Sequence, residues 1–567
     1  MSTNAGTDPD AGTGSSAEAP AAPRAVIIGA GIAGLATSVL LARAGLRVRL
    51  LEQHDTLGGR VATVDREGFR FELGPSWYLM PSVFDHFFRL AGTSTEAELD
   101  LIDLDPGYRI FPEPEHAGTP AAPLDVPAGR AAVRRLFESL EPGSGAELDR
   151  YLDSAAEASE LAVSHFLYNP YTRLTSLLDT RILGRLGTLL TLLRTPLDRH
   201  IARRFRHPVL RQLLGYPAVF LGTSPEDAPA IYHLMSRFDL DEGVRYPAGG
   251  FAAVVASLEK LARASGVEIV TGARVTHIVT ARGRERRGSR RHVTGVRWRG
   301  RAEPAQSRLT SAEIVVSCAD LHHTETELLE PDAQSYPESW WRERVSGPGA
   351  VIIALGVRGD LPELAHHSLF FARDWHENFE AVFGKRPRVP DPASIYVCKP
   401  SATDPEVAPP GHENLFVLLP VPADPTLGAG RAGAAQLRSI TDAVIAQISA
   451  WANIPDLRSR IVTETVLGPA DFQERYHSWR GGMLGPAHTL RQSAMFRVQN
   501  ASPKVGGLFY AGATTAPGVG VPMCLISAEL VLKRIRGDHS PGPLPDAPVT
   551  ASTVSPQRKR ADHADEH

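Results

Sequence analysis

Six residues near the start of the chain have the types and spacing to hold a nucleotide pyrophosphate. Gly29, Gly31 and Gly34 form a Gly-x-Gly-x-x-Gly run, Glu52 closes the next apolar stretch, and Gly59 and Arg60 follow. Gly29 permits a tight turn, Gly31 lets backbone approach a pyrophosphate, and Gly34 lets a helix pack on a strand. The N–H groups that open such a helix carry partial positive charge toward the phosphates. A carboxylate at Glu52 can take both hydroxyls of an adenosine ribose. The Arg60 guanidinium can pair with a phosphate.

These residues work only if particular elements place them. Residues 25–28 predict a strand, the Ala/Leu-rich run to Leu46 a helix, and residues 48–51 a second strand ending in Glu52. A lone glycine fingerprint is a weak signal; one framed by strand, helix and acid is strong. Residues 25–42 carry no charge over a length that suggests a membrane span. Three close glycines and a β-branched leading strand oppose that reading. A turn that merely joins strand to helix is the blander alternative, and the acid in its expected place opposes it.

The whole-chain properties narrow the class. A chain of 567 residues exceeds one core, so two domains are expected. An apolar share of 43% and a charged share of 22% suit a soluble globular protein, and a net charge of −4 gives no nucleic-acid signal. The three cysteines, Cys318, Cys398 and Cys524, are far apart and show neither a disulfide framework nor metal spacing, which suits a reducing cytoplasm. Residues 1–23 lack a basic start and an apolar core, so they predict a disordered tail and not a signal peptide. Residues 538–567 are set outside the fold for the same compositional reason. His322-His323 and His366-His367 suggest metal pairs, but adjacent histidines point different ways and no cysteine or carboxylate cluster accompanies them. They are expected to be surface histidines, with no metal site.

Further along, residues 62–64 and 69–73 predict a hairpin leading into Gly74-Pro75-Ser76-Trp77-Tyr78, a loop placed to approach a cofactor ring. Helix-period segments dominate residues 105–239. Between Arg173 and Arg211 there are nine arginines against two acids, Asp179 and Asp198, with Leu183, Leu186, Leu189, Leu190 and Leu193 at helical spacing. Such a segment can lie in an anionic membrane surface, or pack as a core-facing helix with a solvated basic back. Residues 251–264 predict a helix, and residues 266–270 and 273–275 predict strands joining the first sheet. The arginine-rich stretch 282–301 predicts a hairpin tip. Residues 314–320 predict a buried strand ending in a polar turn, and residues 330–470 a second, mixed domain. Near the end come a strand into Gly512, a Gly/Pro loop over residues 513–522 and a helix over residues 523–535. If a flavin lies beneath that helix start, its dipole stabilises negative charge on the ring by about 1 kcal/mol.

The glycine run with Glu52 and Gly58-Gly59-Arg60 resembles the flavin-containing amine oxidoreductase superfamily. Further stretches resemble one branch of it, the bacterial phytoene desaturase (carotenoid desaturase) family. They are Phe71 to Pro75, Arg245 to Gly250, Ser317 to Asp320, Gln492 to Arg497, and Tyr510 to Pro522 with its Pro-Gly-x-Gly-x-Pro loop. The resemblance implies an α/β fold with three parts. These are a Rossmann-like FAD-binding domain (residues 24–104, 241–330 and 471–537), a mixed α+β substrate domain (105–240 and 331–470), and a helical segment facing a membrane.

It also implies non-covalent FAD held at its ADP moiety by Gly29, Gly31, Gly34 and Glu52. Gly59, Arg60 and Val275 would lie near phosphate and adenine, Gly74 near the ring, and Gly512, Val521 and Met523 beside the isoalloxazine. The implied reaction inserts C=C bonds into a C40 isoprenoid, with hydride loss to flavin N5 and proton loss to a base or water. Asp179 is the candidate proton acceptor, although its acid and arginine stand in a different order from the family's. The electron acceptor would be a quinone or O2, and the setting the inner face of the cell membrane. A hydrocarbon offers no polar handle, so recognition rests on shape and an apolar lining. At about 0.8 kcal/mol per buried CH2, passing such a chain through water is prohibitive.

Rival readings are a flavin-dependent carotenoid isomerase, an amine or porphyrinogen oxidase, and a non-enzymatic prenyl-lipid escort. Ala513 follows Gly512 where amine oxidases usually carry an acid, and the presence of Glu52 and the 512–523 loop argues against the escort.

Overall fold

A computed structural model of the chain describes residues 22–116, 118–173, 184–282 and 291–550. Its organising layer is a parallel sheet of five strands, in the order Leu508–Tyr510, Ile314–Ser317, Arg24–Ile28, Arg47–Leu51, Glu268–Val270. Both faces of this sheet are covered. Its central strands are therefore continuous apolar runs and not alternating ones, and Ile27, Leu50 and Val315 are wholly buried. Strands from both ends of the sequence lie in one sheet, so the turn after Ile28 and the turn after Tyr510 open on the same edge.

The helix Ile32–Arg43 follows the glycine turn and is buried from Ile32 through Leu41. It packs between the helices Phe251–Ala264 and Val521–Arg536. A helix enclosed on all sides needs no polar face. That is the physical reason the uncharged run around it has the composition of a membrane span without being one.

A second layer is a seven-stranded sheet in the order Ile461–Leu467, Gly349–Arg358, His412–Val421, Ile395–Cys398, His367–Phe371, Tyr108–Pro112, Leu124–Val126. It is antiparallel except where His367–Phe371 runs parallel to Tyr108–Pro112. The helix Gly430–Trp451 covers one face, placing Val444, Ile445 and Ile448 in a common core with Val351 and Val417.

Three expectations need correction. The strand Ala273–Arg282 does not join the parallel sheet; it pairs with Arg291–Gly300 in a separate antiparallel layer. The tip of that hairpin lies outside the described residues. His366 and His367 are not surface residues, being 5% and 0% exposed, because His367 opens a strand flanked on both sides in the seven-stranded sheet and His366 directly precedes it. His322 and His323 are half-buried; His322 faces Glu338 at 2.7 Å and His323 stacks on His477.

The third correction concerns residues 538–550, which pack on the body. Leu544 and Val549 join the core around the helix Ile32–Arg43, and the Val549 N–H donates to the Leu90 carbonyl at 2.9 Å. The buried Lys533 ammonium donates to the carbonyls of Tyr168, Ser540 and Gly542.

His86 ties this segment down, with Nε2 2.8 Å from Glu529 and Nδ1 2.5 Å from Asp546, which also pairs with Arg89. Burial alone would lower the His86 pKa, but its hydrogen bonds and charge pairing with Glu529 and Asp546 raise it. A raised folded-state pKa stabilises the fold fully below the unfolded value, about 6.5, and that stability is lost as pH rises through the folded value. Melting temperature followed from pH 6 upward should therefore contain a falling component. His86→Gln should remove it; an unchanged pH profile in that variant would contradict the assignment.

Candidate functional site: a two-ended nucleotide clasp on an apolar cavity

Gly29 adopts φ +92° and donates its N–H to the Leu51 carbonyl at 2.8 Å, which makes the turn. A Cβ on Gly34 would lie 1.9 Å from the Gly29 carbonyl oxygen, so the third glycine is demanded by the close approach of turn and helix. Glu52, 5% exposed, accepts the Ala30 N–H at 2.7 Å and the His54 N–H at 2.9 Å. Those two bonds fix the carboxylate at the mouth of the turn, and its remaining lone pairs can accept further hydrogen bonds. Val275 lies close by, since the Ala273 N–H donates to the Glu52 carbonyl at 2.7 Å.

Gly59 backs onto Gly31, where an added Cβ would come within 3.3 Å of the Gly31 Cα. A Cβ on Gly74 would meet the Arg60 carbonyl at 2.0 Å, which locks the 74–78 loop beside Arg60. The Arg60 guanidinium donates to Ser478 Oγ at 2.7 Å and stands 3.9 Å from the Asp320 carboxylate. Burial raises the Asp320 pKa against the opposing pull of Arg60. Arg60 Nε is buried without a hydrogen-bond partner among the described residues.

The opposite jaw is the 512–523 loop. Gly512 adopts φ +112° and donates its N–H to Ser527 Oγ at 3.0 Å. Asn500 Nδ2 holds the same region through the Tyr510 and Ala516 carbonyls and Ser527 Oγ. Arg497 is the loop's main anchor. It donates to the Thr515 carbonyl at 2.9 Å, the Ala513 carbonyl at 2.7 Å, and the Pro486 and Gln492 carbonyls at 3.3 Å. Burial pushes its pKa down to about 10, so it stays charged at neutral pH.

Both jaws open on one cavity of about 730 Å³. Gly29, Gly31, Glu52, Gly59, Arg60, Gly74, Val275, Gly512, Val521 and Met523 all line it. Gly34 sits beneath the turn and is not in the lining; Asp179 lies outside the described residues. Away from the clasp the walls are apolar and aromatic, with Trp77, Tyr216, Phe220 and Phe371 among them. Sequence reasoning assigned no role to Ser478, Asn500 or Arg497. Arg497 stands in a stretch noted only for its resemblance, and nothing local marks the other two.

The arrangement fits FAD. The helices Ile32–Arg43 and Val521–Arg536 both start at the cavity, and neither start is capped by a side chain. Free N–H groups, a fixed carboxylate, an arginine nitrogen in need of an acceptor and glycine-cleared backbone are what a flavin dinucleotide requires.

Such a clasp, closed from both ends of the chain onto one redox nucleotide, defines an FAD-dependent oxidoreductase. Residues 32–535 match the family described as flavin containing amine oxidoreductase, and the chain belongs to that family. It is 39% identical over 503 residues to a carotenoid 3,4-desaturase of Haloarcula japonica, covering 89% of this chain and 96% of that one. A zeta-carotene-forming phytoene desaturase of Myxococcus xanthus is 33% identical, over 90% and 93% of the two chains. Among solved structures, a putrescine oxidase variant superposes with a TM-score of 0.55 at 14% identity, over 90% of this chain and 99% of that one, a likeness of fold alone.

Proposed function

We propose that this protein is an FAD-dependent desaturase of acyclic carotenoids, acting on a C40 isoprenoid of the phytoene type. The observation that carries the reading is the continuity of a nucleotide clasp with an apolar, aromatic-walled cavity. The names of the two relatives support the substrate class.

Desaturation removes two hydrogens from adjacent carbons, and bound FAD supplies the two-electron acceptor. The chain's own residues hold, orient and keep dry. Gly29, Gly31 and Glu52 would hold the ADP moiety, with Glu52 on the ribose, and Gly34 would act by letting the helix pack against the turn. Arg60 and Gly59 take the pyrophosphate, Val275 the adenine, and Gly74, Gly512, Val521 and Met523 the ring. Apolar walls position the polyene by shape and keep bulk water, though not a single ordered proton acceptor, from the reacting carbons. Asp179 is the proposed proton acceptor, with water as the alternative, so Asp179→Ala should leave partial turnover. The FAD-binding unit comprises residues 24–104, 241–330 and 471–537. The electron acceptor is a quinone or O2.

The substrate enters from a membrane surface. No helix among the described residues is long and apolar enough to cross a membrane. The helix Leu186–Arg194 instead exposes Leu186, Leu190 and Leu193, and a second exposed group is Leu490, Met495 and Phe496. Leu193, Leu490, Met495 and Phe496 also line the cavity, so the apolar surface is its rim. Seating Phe496 and Leu490 in lipid is worth about 1.5–3 kcal/mol each. Phe496→Asp combined with Leu490→Ser should therefore lower turnover of liposome-borne substrate at least about 10-fold while FAD content stays unchanged. Equal turnover would contradict membrane entry at this rim.

The reading is tested by incubating the FAD-loaded protein with phytoene and partly desaturated acyclic carotenoids in liposomes. Pigment absorbance should move stepwise to longer wavelength. No shift with any member of the series, from protein carrying a full complement of FAD, would refute it.

A further inference from the structure

We propose that His366, His367 and Cys398 form a binding site for a soft, closed-shell metal ion, copper(I) or zinc(II), directly behind Trp77 and Tyr396, which line the substrate cavity. One donor atom from each lies within 4.8 Å of the other two, and the three residues are 5%, 0% and 2% exposed. His367 and Cys398 are directly opposed in the antiparallel pairing of their strands, so both side chains leave the sheet on the same face. The His366 ring reaches the same place, its centroid 4.6 Å from that of His367.

A second observation points to a ligand. His366 Nδ1 is paired with Thr403 Oγ1 at 2.7 Å and His367 Nδ1 with Tyr396 OH at 2.8 Å. The Nε2 atoms of both rings are buried without any partner among the described residues. One nitrogen oriented by a hydroxyl and the other left bare is how metal-bound imidazoles are held. In a protein interior a bare ring nitrogen is otherwise unfavourable.

The donor set selects the ion. Two imidazoles and a thiol, with no carboxylate among them, disfavour magnesium and calcium and favour soft d10 ions. Burial keeps both imidazoles neutral at physiological pH, holding His366 down to about 3, so their lone pairs are available. Burial also holds the Cys398 thiol protonated, up to about 12. On binding, the S–H bond breaks, its proton leaves to solvent and a metal–thiolate bond forms, with no change of oxidation state. Copper(I) with one thiolate sums to zero charge; zinc(II) leaves one positive charge, favoured by the carboxylates of Glu72 and Asp404 and opposed by the nearby Lys399 ammonium.

The consequence for the enzyme is positional. His367 stacks on Trp77 with centroids 4.5 Å apart, and Trp77 lines the cavity. An ion on His367 therefore stiffens the wall against which substrate lies.

FAD-loaded protein is incubated anaerobically with excess copper(I) or, separately, zinc(II), then desalted and assayed for metal and flavin. One metal per chain is expected from one of the two ions, falling below about a tenth in Cys398→Ser and His367→Gln at unchanged flavin content. Tyr396→Phe, which frees His367 Nδ1, should weaken affinity about 10-fold. The unmutated protein should also melt at higher temperature when the ion is added. Substoichiometric uptake of both ions, an unshifted melting temperature, or undiminished metal in Cys398→Ser would overturn the proposal.

Discussion

Protein carrying Glu52→Ala is expected to purify colourless, with less than about a tenth of an equivalent of FAD after desalting. The carboxylate accepts the Ala30 and His54 N–H groups, so its removal strips both the ribose acceptor and the brace on the glycine turn. Leaving a buried donor unpaired costs about 1–3 kcal/mol, and the lost charge-assisted bonds to ribose cost a similar amount. The sum, about 2–6 kcal/mol, lowers FAD affinity roughly 30- to 10⁴-fold. Glu52→Gln keeps an acceptor oxygen without the charge and should fall between. Fluorescence of released flavin measures both. Full flavin occupancy in Glu52→Ala would contradict the placement of the adenosine.

The second large effect is expected at Arg497. Its guanidinium is the common anchor of four carbonyls, two of them, at Ala513 and Thr515, inside the loop proposed to face the flavin ring. Hydrogen bonds from a charged group contribute about 1.5–3 kcal/mol each. Arg497→Ala should therefore destabilise the loop by about 4 kcal/mol or more and weaken FAD binding by at least about 10²-fold. Arg497→Lys should recover little, because an ammonium lacks the planar fork that reaches carbonyls on several sides. Protease cleavage within residues 512–520 should appear in the alanine variant and be slowed by added FAD. Wild-type flavin content and turnover in Arg497→Ala would show that the loop does not depend on this anchor.

The parts of the site that were legible in the sequence are those in which cause and effect are close along the chain. Gly34 is required by the carbonyl of Gly29 five residues earlier, and Glu52 is carried by the next strand. Gly512 and the helix after its loop were readable for the same reason, although the helix starts at Val521, two residues before the expected 523. The residues that escaped notice act through folded loops or across the whole chain: Arg497 and Asn500 reach carbonyls up to 18 positions away that no helical or strand period links to them. Ser478 meets Arg60 from the far end of the chain, and no local pattern marks it.

The same distinction explains the misplaced histidines. Nothing between His367 and Cys398 announces that their strands pair, and pairing is what buries the one and brings it against the other. Composition misled in the segment beyond 538, where Leu544 and Val549 are too few to signal a core yet complete an existing one. The leucines of Leu186–Arg194 were recognisable as amphipathic, but that Leu189 and Leu193 line the cavity depends on packing with distant segments.

The central claim is that one cavity brings flavin and polyene into contact. It is tested most directly by mixing the oxidised holoprotein with acyclic carotenoid in liposomes under strict anaerobiosis and following both chromophores together. The flavin absorbance should bleach as a longer-wavelength polyene band grows, one flavin reduced for each double bond formed. Oxidised flavin persisting beside bound carotenoid, across the phytoene-to-lycopene series, would contradict it.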